Sequence, residues 1–161
     1  MGDKQKVLFV CLGNICRSPA AEGVLKKKLA EKGLDGRIVV DSAGTMGYHV
    51  GEAPDQRMRA AAARRGYDLC SRARVFAPSD FDEFDLIIAM DQNNLRDLRD
   101  LDPGSRYRRK LRLLCDFLPG SRLRDVPDPY YGGPEGFERV LDMLERAAEG
   151  IVAQLADGVS A

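Results

Sequence analysis

V-L-F-V-C-L-G-N-I-C-R-S, residues 7–18, is the stretch from which the rest of the chain is read. Val7 to Val10 form a short, wholly apolar run of β-branched and aromatic residues, the pattern of a strand buried on both faces. Gly13 and Asn14 then tolerate unusual backbone angles, so the chain can curl tightly. Ser18-Pro19 reads as an N-cap followed by proline at the first helical position, with Glu22 in the first turn. The unit is strand, tight loop, helix. Such a loop points successive N–H groups, and the positive end of a helix, at one spot just beyond the strand.

Cys11 opens that loop and Arg17 closes it. A thiol ordinarily titrates at about 8.5, and a helix N-terminus and a guanidinium beside it favour the nucleophilic thiolate. The same N–H groups and the planar arginine fork match the oxygens of a phosphate dianion. A nucleophile at the bottom of an oxyanion cradle is what attack on phosphorus requires. The plainer reading makes Cys11 a small core residue and Arg17 a surface helix residue.

Working outward, Ala21, Val24, Leu25 and Leu29 share one face of a helix over 19–32. A second strand is expected over 37–41, followed by a small polar loop from Ser42 and a helix after Pro54 that stops at Gly66. Residues 86–90 read as a third buried strand, with Asp91 capping the helix after it. Leu111, Leu113 and Leu114 mark a fourth strand. A long loop, punctuated by proline and glycine, spans 119–134. An amphipathic helix from Phe137 to Leu155 then leads to a tail expected to fray from Gly158. Alternating buried strands and amphipathic helices predict a four-stranded parallel twisted sheet covered on both faces. Ligands in such sheets bind beyond the carboxyl ends of strands, where Cys11, Ser42 and Asp91 all fall.

The chain's 161 residues are expected to form one domain, 1–161, with an ordered core of about 6–156. Lys+Arg and Asp+Glu both total 25, so no global field favours nucleic acid or a membrane surface. The four cysteines fit neither a disulfide framework nor a zinc site, and no metal or cofactor is expected. The amino terminus carries no signal-peptide core, and no apolar run approaches the roughly 20 residues needed to span a bilayer. The expected setting is reducing and cytoplasmic, without membrane insertion.

Thiolate attack on a phosphate ester expels an alkoxide or phenoxide that needs a proton. Asp128 in P-D-P-Y-Y-G-G is the candidate donor: Pro129 stiffens the position and the following rings lower the local dielectric. The same string also reads as an ordinary Asp-Pro turn.

Taken together, C-L-G-N-I-C-R-S and D-P-Y-Y-G resemble the nucleophile and acid loops of the low-molecular-weight protein tyrosine phosphatases. V-D-S-A-G-T, Y-H-V-G, M-D-Q-N-N-L and the Phe-Glu of the last helix match the family at the expected places. The likeness runs from about Val7 to the final helix. It implies metal-free hydrolysis of phosphotyrosine proteins through a phosphocysteine, with inorganic phosphate as product and inhibitor. It makes Cys11 the nucleophile, Arg17 the phosphate clamp and Asp128 first acid, then base. Leu12, Gly13, Asn14, Ile15 and Cys16 complete the phosphate loop, Asn14 and Ser42 orient it, and Ser18 donates to the thiolate. Leu12, Tyr48, His49, Tyr130 and Tyr131 rim a pocket whose depth suits a phenyl ring. Cys16 either fills space beneath the loop or pairs with Cys11 on oxidation, and the resemblance implies the second. Ser71 stands where many relatives carry a histidine that supports the loop.

Two relatives of that fold are less well matched. Arsenate reductases with this loop use further cysteines as a redox relay, and here only Cys70 and Cys115 remain, far apart in sequence. Protein-arginine phosphatases typically carry threonine where this chain has Ile15. A non-enzymatic phosphate reader would tolerate loss of Cys11 or Asp128, and both are present.

Overall fold

The computed structural model describes residues 4–160, with side chains placed through residue 157. Residues 1–3, the start of the amino terminus read above, and residue 161 lie outside it. The central strand is β1 (Gln5–Cys11), flanked by β2 (Ile38–Gly44) on one side and β3 (Leu86–Ala89) on the other. β4 (Leu111–Leu113) completes the order β2-β1-β3-β4, and every pairing is parallel.

Period-two alternation along β1 divides the core. Val7, Phe9 and Cys11 face one layer, built with α1 (Arg17–Glu31), α2 (Gln56–Ala63) and α5 (Pro134–Ser160). Leu8 and Val10 face the other, with Phe81 of α3 (Asp80–Glu83) and Leu95 and Leu98 of α4 (Gln92–Asp100). Parallel strands need crossover connections, and the helices that supply them cover both faces, so β1 reads as an unbroken apolar run. The chain leaves β1 toward β2 but later returns to place β3 on its other side. That reversal opens a crevice at the carboxyl ends of β1 and β3.

Several boundaries differ from the sequence reading. β1 begins at Gln5 and β2 runs on through Ser42, Ala43 and Gly44, which had read as loop. Parallel register explains it: Phe9, Val10 and Cys11 pair with those three residues, so three small residues are carried into buried strand. Helix α1 starts at Arg17, not after Ser18; its preceding residue is Cys16, which makes no side-chain cap. The Ser18 hydroxyl is engaged elsewhere, as described below, while Pro19 still lies in the first turn, where its missing N–H costs nothing. Glu22 falls beyond that first turn. Leu114 leaves β4 and enters a 3₁₀ turn, Leu114–Phe117. Helix α5 begins with Pro134 at its first position and runs through Ser160, past Gly158.

Candidate active site

The loop from β1 to α1 is held by its carbonyls. Cys11, Leu12 and Ile15 accept from the backbone N–H groups of Thr45, Met46 and Asp55 at 2.9, 3.0 and 2.7 Å. The N–H groups of residues 12–16, by contrast, donate to no protein group among the described residues. A loop whose carbonyls face outward and whose amides stay free is an anion cradle. Asn14 makes the bend at φ 58°, the left-handed region that asparagine tolerates better than most residues. Its side chain then fixes the curl, with Nδ2 donating to Ser18 Oγ at 2.8 Å and Oδ1 accepting from the Arg74 N–H at 3.0 Å. A main-chain amide thus holds Asn14. Ser18 Oγ lies 3.0 Å from Cys11 Sγ. Gly44 closes the base, since a Cβ there would sit 2.8 Å from the Leu12 carbonyl oxygen.

Arg17 is 3% exposed and its fork is divided. Nη1 donates to Asp91 Oδ2 at 2.7 Å and to the Val126 carbonyl at 2.9 Å, while Nη2 lies 3.7 Å from Asp128 Oδ2. Burial works against the guanidinium charge, but Cys11, Asp91 and Asp128 outweigh it, so Arg17 is held more firmly protonated than usual. Asp91 and Val126 together anchor one edge of the fork and leave the rest toward the pocket. Val126 also donates its N–H to the Met90 carbonyl at 2.8 Å, pinning the Asp128 loop to the end of β3. Asp128 itself accepts from the Tyr130 N–H at 3.1 Å, the Asx turn its Asp-Pro sequence suggests.

One cavity of about 250 Å³ is lined by Cys11, Leu12, Gly13, Ile15, Cys16, Arg17, Tyr48, His49, Asp128, Tyr130 and Tyr131. The structure therefore brings together most of the residues singled out from the sequence. Three do not line the cavity. Asn14 and Ser18 are buried behind it, and Ser42 donates its hydroxyl to Glu22 Oε1 at 2.6 Å, one turn along α1 from Ser18. Tyr48 and Tyr131 stand 73% and 93% exposed at the mouth. His49 bonds Glu52 through Nδ1 at 2.9 Å, and its ring centroid lies 6.2 Å from that of Tyr130. Burial, then Asp55 and Cys11, push the Cys16 thiol well above its ordinary range. Burial likewise raises Cys115, up to about 11, and all four cysteines are free.

Sequence reasoning found Asp91 as a helix cap but missed its bond to Arg17. The available signal was that a buried arginine needs an acid, and that Asp91 follows the strand paired with β1. It also missed the clamp on Tyr130. The Arg57 guanidinium carbon lies 5.3 Å from the Tyr130 ring centroid, and its fork is held on Asp55 at 3.2 and 3.0 Å. Among the described residues, no group of three or more His, Cys, Asp or Glu could hold a metal ion, and no helix is long and apolar enough to cross a membrane.

Comparison with known proteins bears on this arrangement directly. A family model described as low molecular weight phosphotyrosine protein phosphatase matches residues 6–161. A putative low molecular weight protein-tyrosine-phosphatase of Synechocystis is 51% identical, covering 93% of this chain and 96% of the relative. The low molecular weight protein-tyrosine-phosphatase of Streptomyces coelicolor is 47% identical, covering 96% and 95%. Among solved structures, a protein tyrosine phosphatase from Entamoeba histolytica with Hepes in the active site superposes with a TM-score of 0.92. It is 47% identical and covers 96% of this chain and 99% of that one.

Proposed function

The chain belongs to the low molecular weight phosphotyrosine protein phosphatase family, and from that premise we propose that it hydrolyses phosphotyrosine through a phosphocysteine on Cys11, without a metal. The observation that carries this reading is the convergence of Cys11, Arg17 and Asp128 on one aromatic-rimmed cavity. The phosphate dianion settles on the free amides of residues 12–16 and the unanchored side of the Arg17 fork. The Cys11 thiolate attacks phosphorus, the S–P bond forms, and the P–O bond to the aryl group breaks. Asp128 gives its proton to the departing phenolate. Water then attacks the phosphocysteine while Asp128, now a carboxylate, takes its proton. The S–P bond breaks, and the Ser18 hydroxyl at 3.0 Å receives the returning thiolate as a hydrogen-bond donor. Inorganic phosphate leaves, and it inhibits by re-entering the same cradle. In the Entamoeba relative the active site holds Hepes, whose sulfonate is also a tetrahedral oxyanion.

Charge on the transferring group is met by Arg17 and backbone amides, so a chelator should leave the rate unchanged. Tyr48, Tyr130 and Tyr131 rim the cavity, and their rings favour contact with a phenyl ring over a short serine stem. The test is turnover of matched phosphotyrosine and phosphoserine peptides with and without a chelator. Phosphotyrosine hydrolysis indifferent to chelation is expected, with little turnover of phosphoserine. Activity that chelation removes and a divalent metal restores would overturn the metal-free route.

The same loop carries a redox consequence. Cys16 lines the cavity beside Cys11, and its suppressed ionisation directs peroxide to Cys11. Oxidation gives the Cys11 sulfenic acid, which is uncharged, and one of the causes that suppress the Cys16 thiolate is thereby lost. Condensation of the two then releases water and leaves a disulfide that a dithiol reduces. After peroxide and dithiothreitol, wild type should recover most of its activity and Cys16→Ser little. Equal recovery, or a peptide map lacking a Cys11–Cys16 link, would exclude the pairing.

A further inference from the structure

A second cavity, about 260 Å³, is lined by Arg57, whose guanidinium also lies over the Tyr130 ring of the catalytic pocket. Ala60 and Ala61 of α2 form one wall, Gly132 and Gly133 the other, and the buried Phe137 ring contributes from the first turns of α5. The four α2 residues along it, Arg57, Ala60, Ala61 and Arg64, follow the i, i+3, i+4, i+7 spacing of a single helix face. Small residues on both walls leave the space open, and no side chain among the described residues fills it. The two arginines at its ends are already paired, Arg57 with Asp55 and Arg64 with Glu138 at 3.0 Å. They enclose the groove as stems and flat guanidinium faces and hold no charge in reserve for an anion.

Resting on the phosphotyrosine reading above, we propose that this groove is a substrate subsite that takes an aliphatic side chain two residues from the phosphotyrosine. The reach of a peptide carries the assignment. Arg57 stacks on Tyr130, which lines the catalytic pocket, and on Phe137, which lines the groove; its distances of 5.3 and 4.9 Å cap the ring separation at about 10 Å. An extended chain advances about 3.3–3.6 Å per residue and alternates its side chains between two faces. A residue two positions from the phosphotyrosine therefore points to the same side, about 7 Å along, within that span. Arg57, in contact with a ring of each cavity, is the group that the chain passes on its way from one to the other. The occupant is aliphatic because the walls are alanine, glycine and phenylalanine and the rim charges are spent.

Burial of a leucine-sized side chain is worth roughly 10- to 100-fold in affinity. The experiment compares kcat/KM for an all-serine phosphotyrosine peptide with four versions carrying one leucine at −3, −2, +2 or +3. Leucine at −2 or +2 should raise kcat/KM about tenfold or more, and leucine at ±3 should not. Ala60→Leu fills the groove from an exposed helical position and should abolish the gain while turnover of nitrophenyl phosphate stays unchanged. Ala60→Glu, which places a charge in the same groove, should act alike and guards against one variant failing to fold. Equal kcat/KM across the peptides, a gain confined to ±3, or a gain that survives both variants would overturn the subsite. Nitrophenyl phosphate is too small to enter the groove. Its hydrolysis therefore tests the catalytic reading separately, and either can fail alone.

Discussion

Cys11→Ser is expected to abolish turnover of aryl phosphates, by on the order of 10⁴-fold or more, while leaving phosphate and vanadate binding intact. The hydroxyl is a far weaker nucleophile than a thiolate, and the alkoxide is a poor leaving group when water attacks the intermediate. The shape of the cradle is set by groups other than the sulfur. The free amides of residues 12–16 are set by carbonyl bonds to Thr45, Met46 and Asp55, and Arg17 is set by Asp91 and Val126. Removing a buried negative charge from below the bound dianion also relieves repulsion, so oxyanions should bind at least as tightly. Turnover with nitrophenyl phosphate and equilibrium binding of vanadate to the same sample separate the two effects. Full activity in the serine variant would end the phosphocysteine route. Joint loss of turnover and binding would mean that the loop had lost its shape.

How much of this was legible beforehand follows from how local each feature is. The strand–loop–helix unit at 7–18 is encoded within itself: an apolar run, residues able to bend, then a helix start. The long apolar faces of α1 and α5 were equally readable, because helical periodicity is a property of one segment. What the sequence hid are bonds between segments far apart in the chain. Ser18 reads as an N-cap locally, yet in the fold the hydroxyl points to Asn14 and Cys11. Ser42, Ala43 and Gly44 look like loop, yet β1 recruits them into strand. The Arg17–Asp91 bond joins residues 74 positions apart, and only the placement of β3 beside β1 makes them neighbours. The Arg74 amide that holds Asn14 leaves no mark in the sequence at all, since any residue but proline would supply it.

Asp128→Ala should slow phenyl phosphate by roughly 10²–10⁴-fold and nitrophenyl phosphate much less. The difference arises because phenol departs as the more basic anion and gains most from a proton delivered during bond cleavage. The structure adds a second, opposite consequence for binding. Asp128 Oδ2 lies 3.7 Å from Arg17 Nη2, so whenever Asp128 is ionised it competes for the guanidinium that the substrate dianion needs. Deleting it leaves Arg17 anchored by Asp91 alone among the acids and removes a competing negative charge at the cavity wall. Inhibition by inorganic phosphate should therefore hold steady or strengthen while kcat falls. Asp128→Asn keeps the acceptor for the Tyr130 N–H, so it should preserve the loop and show the same leaving-group dependence. Measured together, the rate ratio for the two aryl phosphates and the inhibition constant for phosphate distinguish a proton donor from a shape-keeping residue. Equal rate losses on both substrates would take the role of general acid away from Asp128, and weaker phosphate inhibition in both variants would point instead to a collapsed acid loop.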